Sequence, residues 1–202
     1  MATLRTVVRD PDSKKRLILA AARRMLIKRG FQDIVLDDIA HEAGVAKGTL
    51  FLHFKDKEEM FAAVFADLVD GLGLELEALP KTGLEGRELL VAAAKVVLNH
   101  FDHSRDFMAQ FSTGRFPGCG DKSCDRLMEK LRTNHARLRV ILVAASKDGG
   151  KSAPDLGFAV GAFFGLCRTA TMRKIIEKHD KPLEKEAEKV VSFFLGGSGV
   201  LV

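Results

Sequence analysis

Lys47, Thr49 and His53 fall within the seven-residue stretch KGTLFLH, and Lys55 and Lys57 follow within four residues of it. On a short helix, an ammonium, a hydroxyl and an imidazole spaced this way can donate to phosphate oxygens and read base edges. The two lysines beyond it sit where a further helix starts. There, positive charge beside free backbone N–H groups makes a phosphate clamp. The candidate contact set is therefore Lys47, Thr49, Leu50, Phe51, His53, Lys55 and Lys57. Leu50 belongs to that helix, although its spacing also suits an inward residue. Phe51 could touch a thymine methyl or cover the edge of the core.

Other residues offer weaker chemistry. His100 and His103 are three apart on one helix, with Asp102 and Asp106 nearby, a spacing that could chelate a metal. Cys119 and Cys124 bracket a loop and could join them or form a switchable disulfide. No four-ligand spacing is complete, so metal or thiol sensing stands as an alternative and no metal is expected. Gly149-Gly150-Lys151-Ser152 has part of a phosphate-binding loop but lacks the upstream glycine and the preceding strand. Nucleophile elbows, complete cofactor loops and compact acid–base pairs are missing, so neither an enzyme nor a cofactor is expected.

The reading helix needs a platform. Ile39, Ala40, Gly44, Val45 and Leu50 have the spacings at which two short helices cross closely, Ala40 being small at the crossing and Gly44 free to take a left-handed turn. The spacing predicts helices over Leu36–Ala43 and Lys47–His53, a helix-turn-helix within residues 35–54 whose second member enters the major groove. Before it, Ile18, Ala21, Ala22 and Met25 form one stripe of a helix over Lys14–Arg29, with Gly30 closing it and Phe31 and Ile34 packing beneath the pair. Residues 1–12, carrying Arg5 and Arg9, are either a solvated tail or an arm adding phosphate contacts. After it, Asp56 suits an N-cap with Glu59 completing a capping box. Met60, Phe61, Val64, Phe65, Leu68 and Leu72 continue as the stripe of a long helix.

From about Asp12 to Gly71 these residues resemble the DNA-binding domain of tetracycline-repressor (TetR) type regulators. The resemblance is carried by Gly30-Phe31, Asp38-Ile39-Ala40, Gly44-Val45, Lys47-Gly48-Thr49-Leu50-Phe51, His53-Phe54 and Lys57-Glu58-Glu59-Met60. Val35 and Ala46 stand where the family usually has capping Thr and Ser, each lost cap costing about 1 kcal/mol. Phe51 replaces the usual Tyr and its hydroxyl. The resemblance implies an all-α protein with an N-terminal three-helix domain at 12–72 and a helical regulatory, ligand-binding and dimerisation domain at 73–202. It also implies a homodimeric regulator, most often a repressor, that binds double-stranded operator DNA of pseudo-palindromic sequence. The last two long helices, about 155–178 and 183–195, would pair across a two-fold axis, and the regulatory half would hold a small molecule.

Gly71, Gly73 and residues 80–86 interrupt the pattern, which places the boundary near residue 70. Further helices are expected over Glu85–His103, Arg105–Ser112 and Ser123–Ser146, with loops at 114–120 and 148–154. A helix rich in glycine and phenylalanine over Asp155–Lys178 and a last one over Leu183–Leu195 complete the chain. Residues that could line a pocket are Phe65, Leu68, His100, Phe101, Phe107, Met108, Phe111, Phe163, Phe164, Cys167 and Arg168, a set suited to a largely apolar effector. A ligand-independent DNA-binding protein, whose regulatory core would be filled, is the other alternative.

Composition agrees. The chain has 202 residues, 47% of them apolar, and a net charge of +5, with a pI near 9.2. That is well clear of the disordered regime and allows a polyanionic partner. Residues 1–60 hold twelve Lys and Arg against nine Asp and Glu, so much of the excess lies there. Three cysteines, no signal-peptide pattern and no apolar run of about 18 residues point to the cytoplasm and away from a membrane.

Overall fold

The computed structural model describes residues 11–29, 33–104, 122–146, 155–178 and 181–196, and among these there are helices and no strand. Eight α-helices run α1 (Pro11–Arg29), α2 (Leu36–Glu42), α3 (Lys47–His53), α4 (Lys57–Ala78), α5 (Gly86–His103), α6 (Lys122–Ala145), α7 (Leu156–Glu177) and α8 (Ala187–Gly196). Short 3-10 turns at Leu79–Thr82 and Leu183–Glu186 precede α5 and α8. The expected Arg105–Ser112 helix, both expected loops, Gly30 and Phe31 lie outside the described residues.

Two clusters of buried side chains organise the helices. In the first, the α1 stripe Ile18, Ala21, Ala22 and Met25 meets Ile34, Ile39, Leu50, Phe54, Met60 and Phe61. In the second, the far half of α4 joins α5, α7 and α8 around Leu76, Leu98, Leu138 and Phe163. The long helix α4 contributes to both, as its stripe foretold, and so does α6: Leu127 is buried in the first cluster while Leu138 and Ile141 are buried in the second.

Asp56 caps α4 as expected, accepting from the Glu59 N–H at 2.7 Å. The return bond of the box is displaced by one residue, since the Glu59 carboxylate takes the N–H of Lys55 at 2.8 Å. Either way an orphan donor at the helix start is satisfied.

Gly71 and Gly73 do not interrupt α4, which runs unbroken to Ala78. Gly73 is there for room. A Cβ at Gly73 would lie 2.5 Å from both the Asn134 Oδ1 and the Arg137 Nη1 of α6. Asn134, itself buried, donates to the Val69 carbonyl at 2.8 Å, and Arg137 reaches Glu77 at 2.9 Å. The roughly 1 kcal/mol that a mid-helix glycine costs is offset by this close approach. The real break comes at the 3-10 turn after Ala78, followed by Gly83 in the left-handed region at φ 78°.

The last helix differs from the Leu183–Leu195 reading, because its first turn is 3-10 and α8 proper begins at Ala187. A buried ion pair lies beside that turn. Lys174 of α7 donates to both oxygens of Asp102 of α5, at 2.7 and 2.9 Å. The N–H of Leu183 adds a longer bond to the same carboxylate.

Candidate nucleic-acid interface and inner cavity

The pair α2–α3 is built from its turn outward. Gly44 adopts φ 66°, where an L side chain would be strained, and a Cβ there would meet nothing within 4 Å. Its role is therefore conformational and not steric. The N–H groups of Gly44 and Val45 donate to His41 and Ala40 carbonyls at 3.1 and 3.0 Å. Ile39 and Leu50, both fully buried, pin the helices across each other with Ala40 at the crossing. Neither Val35 nor Ala46 makes a side-chain cap bond, so both helices start uncapped and rely on that packing.

Leu50 has no accessible surface, so it holds α3 in place and cannot itself touch a nucleic acid. The exposed face carries Lys47, Gly48, Phe51 and Leu52, with Thr49 and His53 half-buried beside it. Leu52, 86% exposed, escaped the sequence reading. A residue two positions from a buried one lies on the opposite side of a helix, so the burial of Leu50 was a signal for it. Phe51 is 45% exposed and stands at the rim, where the Lys47 ammonium sits 6.0 Å above its ring.

Lys47 also donates to Asp37 of α2 at 2.8 Å. Both side chains are more than half exposed, and an ion pair of that kind is worth about 0–1 kcal/mol. A phosphate can exchange for Asp37 at little cost. Two more pairs, Arg24–Glu42 and Arg29–Asp38, tie α1 to α2 at 3.1 and 3.0 Å. Around the start of α4, Lys55 is exposed and Lys57 half-buried. Burial lowers the Lys57 ammonium from its usual value, against the opposing pull of Glu58 and Asp33.

The second feature lies within the helical half. A cavity of about 440 Å³, partly open to solvent, is lined by four helices, a size that suits a small organic molecule. Phe65, Leu68, His100, Phe101, Phe164 and Arg168 line it, together with Val69 and Leu72 of α4. The α6 contribution, Leu131, Asn134 and His135, was missed by the sequence reading. Those three recur at helical spacing on one face, a pattern that marks an inward surface.

Two expected lining residues face elsewhere. Phe163 is fully buried against Phe194, ring edge to face at 5.2 Å, because one residue along a helix turns the side chain by about 100° away from Phe164. Cys167 is likewise buried in the core. Its burial pushes the thiol up to about 12, which keeps it protonated at neutral pH. Phe107, Met108, Phe111 and Cys119 lie outside the described residues.

The two histidines considered for a metal are otherwise engaged. His100 Nε2 lies 2.9 Å from Glu75 and His103 Nδ1 lies 2.8 Å from the Asn99 carbonyl oxygen. Among the described residues no three His, Cys, Asp or Glu side chains come together as a metal site. Nor is any described helix long and apolar enough to cross a membrane.

On the outer face of α7 and α8, Phe158 is 76% exposed and Leu195 56%, with Phe193 beside a shallow apolar groove. A Cβ at Gly161 or Gly165 would meet nothing within 4 Å, so these glycines are not explained by packing within one chain.

Comparison with known proteins bears on the α2–α3 pair and on the fold. Residues 18–64 match the family model for bacterial regulatory proteins of the tetR family. The HTH-type transcriptional activator FasR of Mycolicibacterium smegmatis is 32% identical over 92 residues, 46% of this chain and 42% of that protein. The HTH-type transcriptional regulator TtgW of Pseudomonas putida is 32% identical over 103 residues, 51% of this chain and 75% of that protein. The match to FasR thus spans less than half of that relative's length, and the same holds for the regulator SrpR of Pseudomonas putida at 47%. Among solved structures, the fatty acid degradation regulator FadR from Bacillus halodurans superposes with a TM-score of 0.75 at 18% identity, covering 92% of this chain and 96% of that one. FadR from Bacillus subtilis, in complex with stearoyl-CoA, superposes with a TM-score of 0.73 at 20% identity, covering 90% and 98%. At these identities the structures share the fold.

Proposed function

This chain belongs to the TetR family of bacterial regulatory proteins, and from that premise we propose that it is a DNA-binding transcriptional regulator, a homodimeric repressor released by a small molecule. The observation that carries the reading is the presentation of α3. A seven-residue helix is held by one buried leucine and offers its cationic and apolar outer face to solvent. Such a face fits a major groove. Lys55 and Lys57, at the start of α4, would fasten the flanking backbone. Residues 12–72 form the reading domain in this proposal and residues 73–202 the regulatory one.

Dimerisation through α7 and α8 is supported by the exposed Phe158, Phe193 and Leu195, whose burial against a second copy would remove them from water. Two-fold symmetry would then set two α3 helices on a pseudo-palindromic operator. The cavity supports an effector: two of its four lining helices are α4 and α6, which also enter the first core. A molecule wedged there would move both, change the spacing of the reading heads and weaken binding. A ligand-independent architectural protein would have a filled regulatory core, and the cavity speaks against it. A regulator of this kind works in the cytoplasm, where the DNA is.

Lys57→Ala tests the clamp. On a duplex selected by the wild-type protein, the variant should bind all sequences more weakly. Its log-affinity against log-salt slope should fall by about 0.9 for each half-site. An unaltered slope in an otherwise folded variant would remove Lys57 from the interface.

A further inference from the structure

The cavity's polar groups are not equally available, and the difference identifies the kind of molecule it takes. Among the described residues, five side chains with hydrogen-bonding capacity line it: His100, Ser104, Asn134, His135 and Arg168. Three are already committed. His100 Nε2 is paired with Glu75 at 2.9 Å, and the Ser104 hydroxyl donates to the His100 carbonyl at 2.6 Å. Asn134 donates to the Val69 carbonyl at 2.8 Å and accepts from Arg137 at 3.1 Å.

The other two are open. Arg168 and His135 are both exposed, at the open side of the cavity, and neither is engaged by a hydrogen bond or ion pair with another described residue. They lie together: His135 stacks on the Phe164 ring at 5.0 Å, and Arg168 follows Phe164 by one helical turn on the same face of α7. Among the described residues no Asp or Glu lines the cavity. The other described side chains that line it are apolar, Phe65, Leu68, Leu72 and Phe101 among them.

We infer that the effector is an anionic amphiphile, its carboxylate or other acidic head held by Arg168 and His135 and its hydrocarbon body buried against the α4 and α5 side chains. A guanidinium lacking an acidic partner offers two parallel donors to a carboxylate, and that geometry discriminates against hydroxyl and amine heads. An amine would set two like charges against each other at that open side, and an alcohol would offer only a single neutral acceptor. This assignment rests on the reading of the protein as an effector-responsive regulator, and the test separates the two.

Isothermal titration of the full-length protein with decanoate, decan-1-ol and decylammonium, below their aggregation limits, compares heads on one tail. Decanoate should bind, decanol at least tenfold more weakly, and decylammonium not measurably. Arg168→Gln should bring decanoate to within about threefold of decanol, as expected for the loss of a charge-assisted pair. Equal binding of all three heads, failure of all three to bind, or an unaffected decanoate affinity in Arg168→Gln would overturn the assignment. Release of a selected duplex is the second readout. Release by decanol as readily as by decanoate would keep the regulator and overturn the anionic head. Decanoate binding that depends on Arg168, in a protein that holds no duplex, would support the head-group assignment and sink the regulator.

Discussion

Gly48→Glu should abolish specific DNA binding, lowering affinity by about a hundredfold or more, while the protein stays folded. Gly48 lies in the first turn of α3 on its exposed side, and a Cβ there meets nothing within 4 Å. The substitution therefore strains nothing in the free protein. A carboxylate near a helix N-terminus is favourable by a few tenths of a kcal/mol, and Gly to Glu also raises helix propensity. Stability should rise slightly. Against DNA, however, each half-site would bring a negative charge to the phosphates, and like charges juxtaposed at an interface cost several kcal/mol. Fluorescence anisotropy with a selected duplex measures the loss, and thermal unfolding shows that the fold is intact. Gly48→Gln, of similar size and no charge, should retain much more affinity. A Glu variant that binds like the wild type would mean that this face of α3 does not meet DNA.

Asp102→Ala should destabilise the protein by about 3 kcal/mol, since removing one member of a buried pair leaves its partner uncompensated. Lys174 is 7% exposed at its side chain and Asp102 21%, and the carboxylate takes both ammonium bonds as well as the Leu183 N–H. For a chain of this size such a loss corresponds to a fall in Tm of about 6–12 °C. The contrast is the double variant Asp102→Leu with Lys174→Met. A well-packed apolar pair of similar volume should recover most of the stability, because desolvating two charges nearly cancels their attraction. Calorimetry of the three proteins checks both statements. If the alanine variant unfolded at the wild-type temperature, the pair would be a surface contact in solution and not an anchor between α5 and α7.

Much of the architecture could be read from local chemistry. The stripe of Ile18, Ala21, Ala22 and Met25, the turn at Gly44 and the Asp56 cap each depend on residues within a few positions, and the structure has all three. The misreadings share one physical cause, that they turn on which helix passes next to which. Gly73 looks like a break in isolation and becomes a seat for α6 only once Asn134 and Arg137 arrive. Phe163 and Phe164 are adjacent and chemically identical, and only the placement of α8 decides which of them is core. Lys174 gave no sign of burial because its partner is 72 residues away.

The claim on which the rest depends is that two copies of α3, related by a dyad, enter successive major grooves. Selection of duplexes from a random pool at physiological salt, followed by hydroxyl-radical footprinting of the winner, tests it most directly. The expected result is an enriched, pseudo-palindromic sequence with two protected half-sites centred about 34–36 Å apart on one face of the helix, or a multiple of that. Enrichment of no sequence, or protection of a single half-site by one chain, would contradict it.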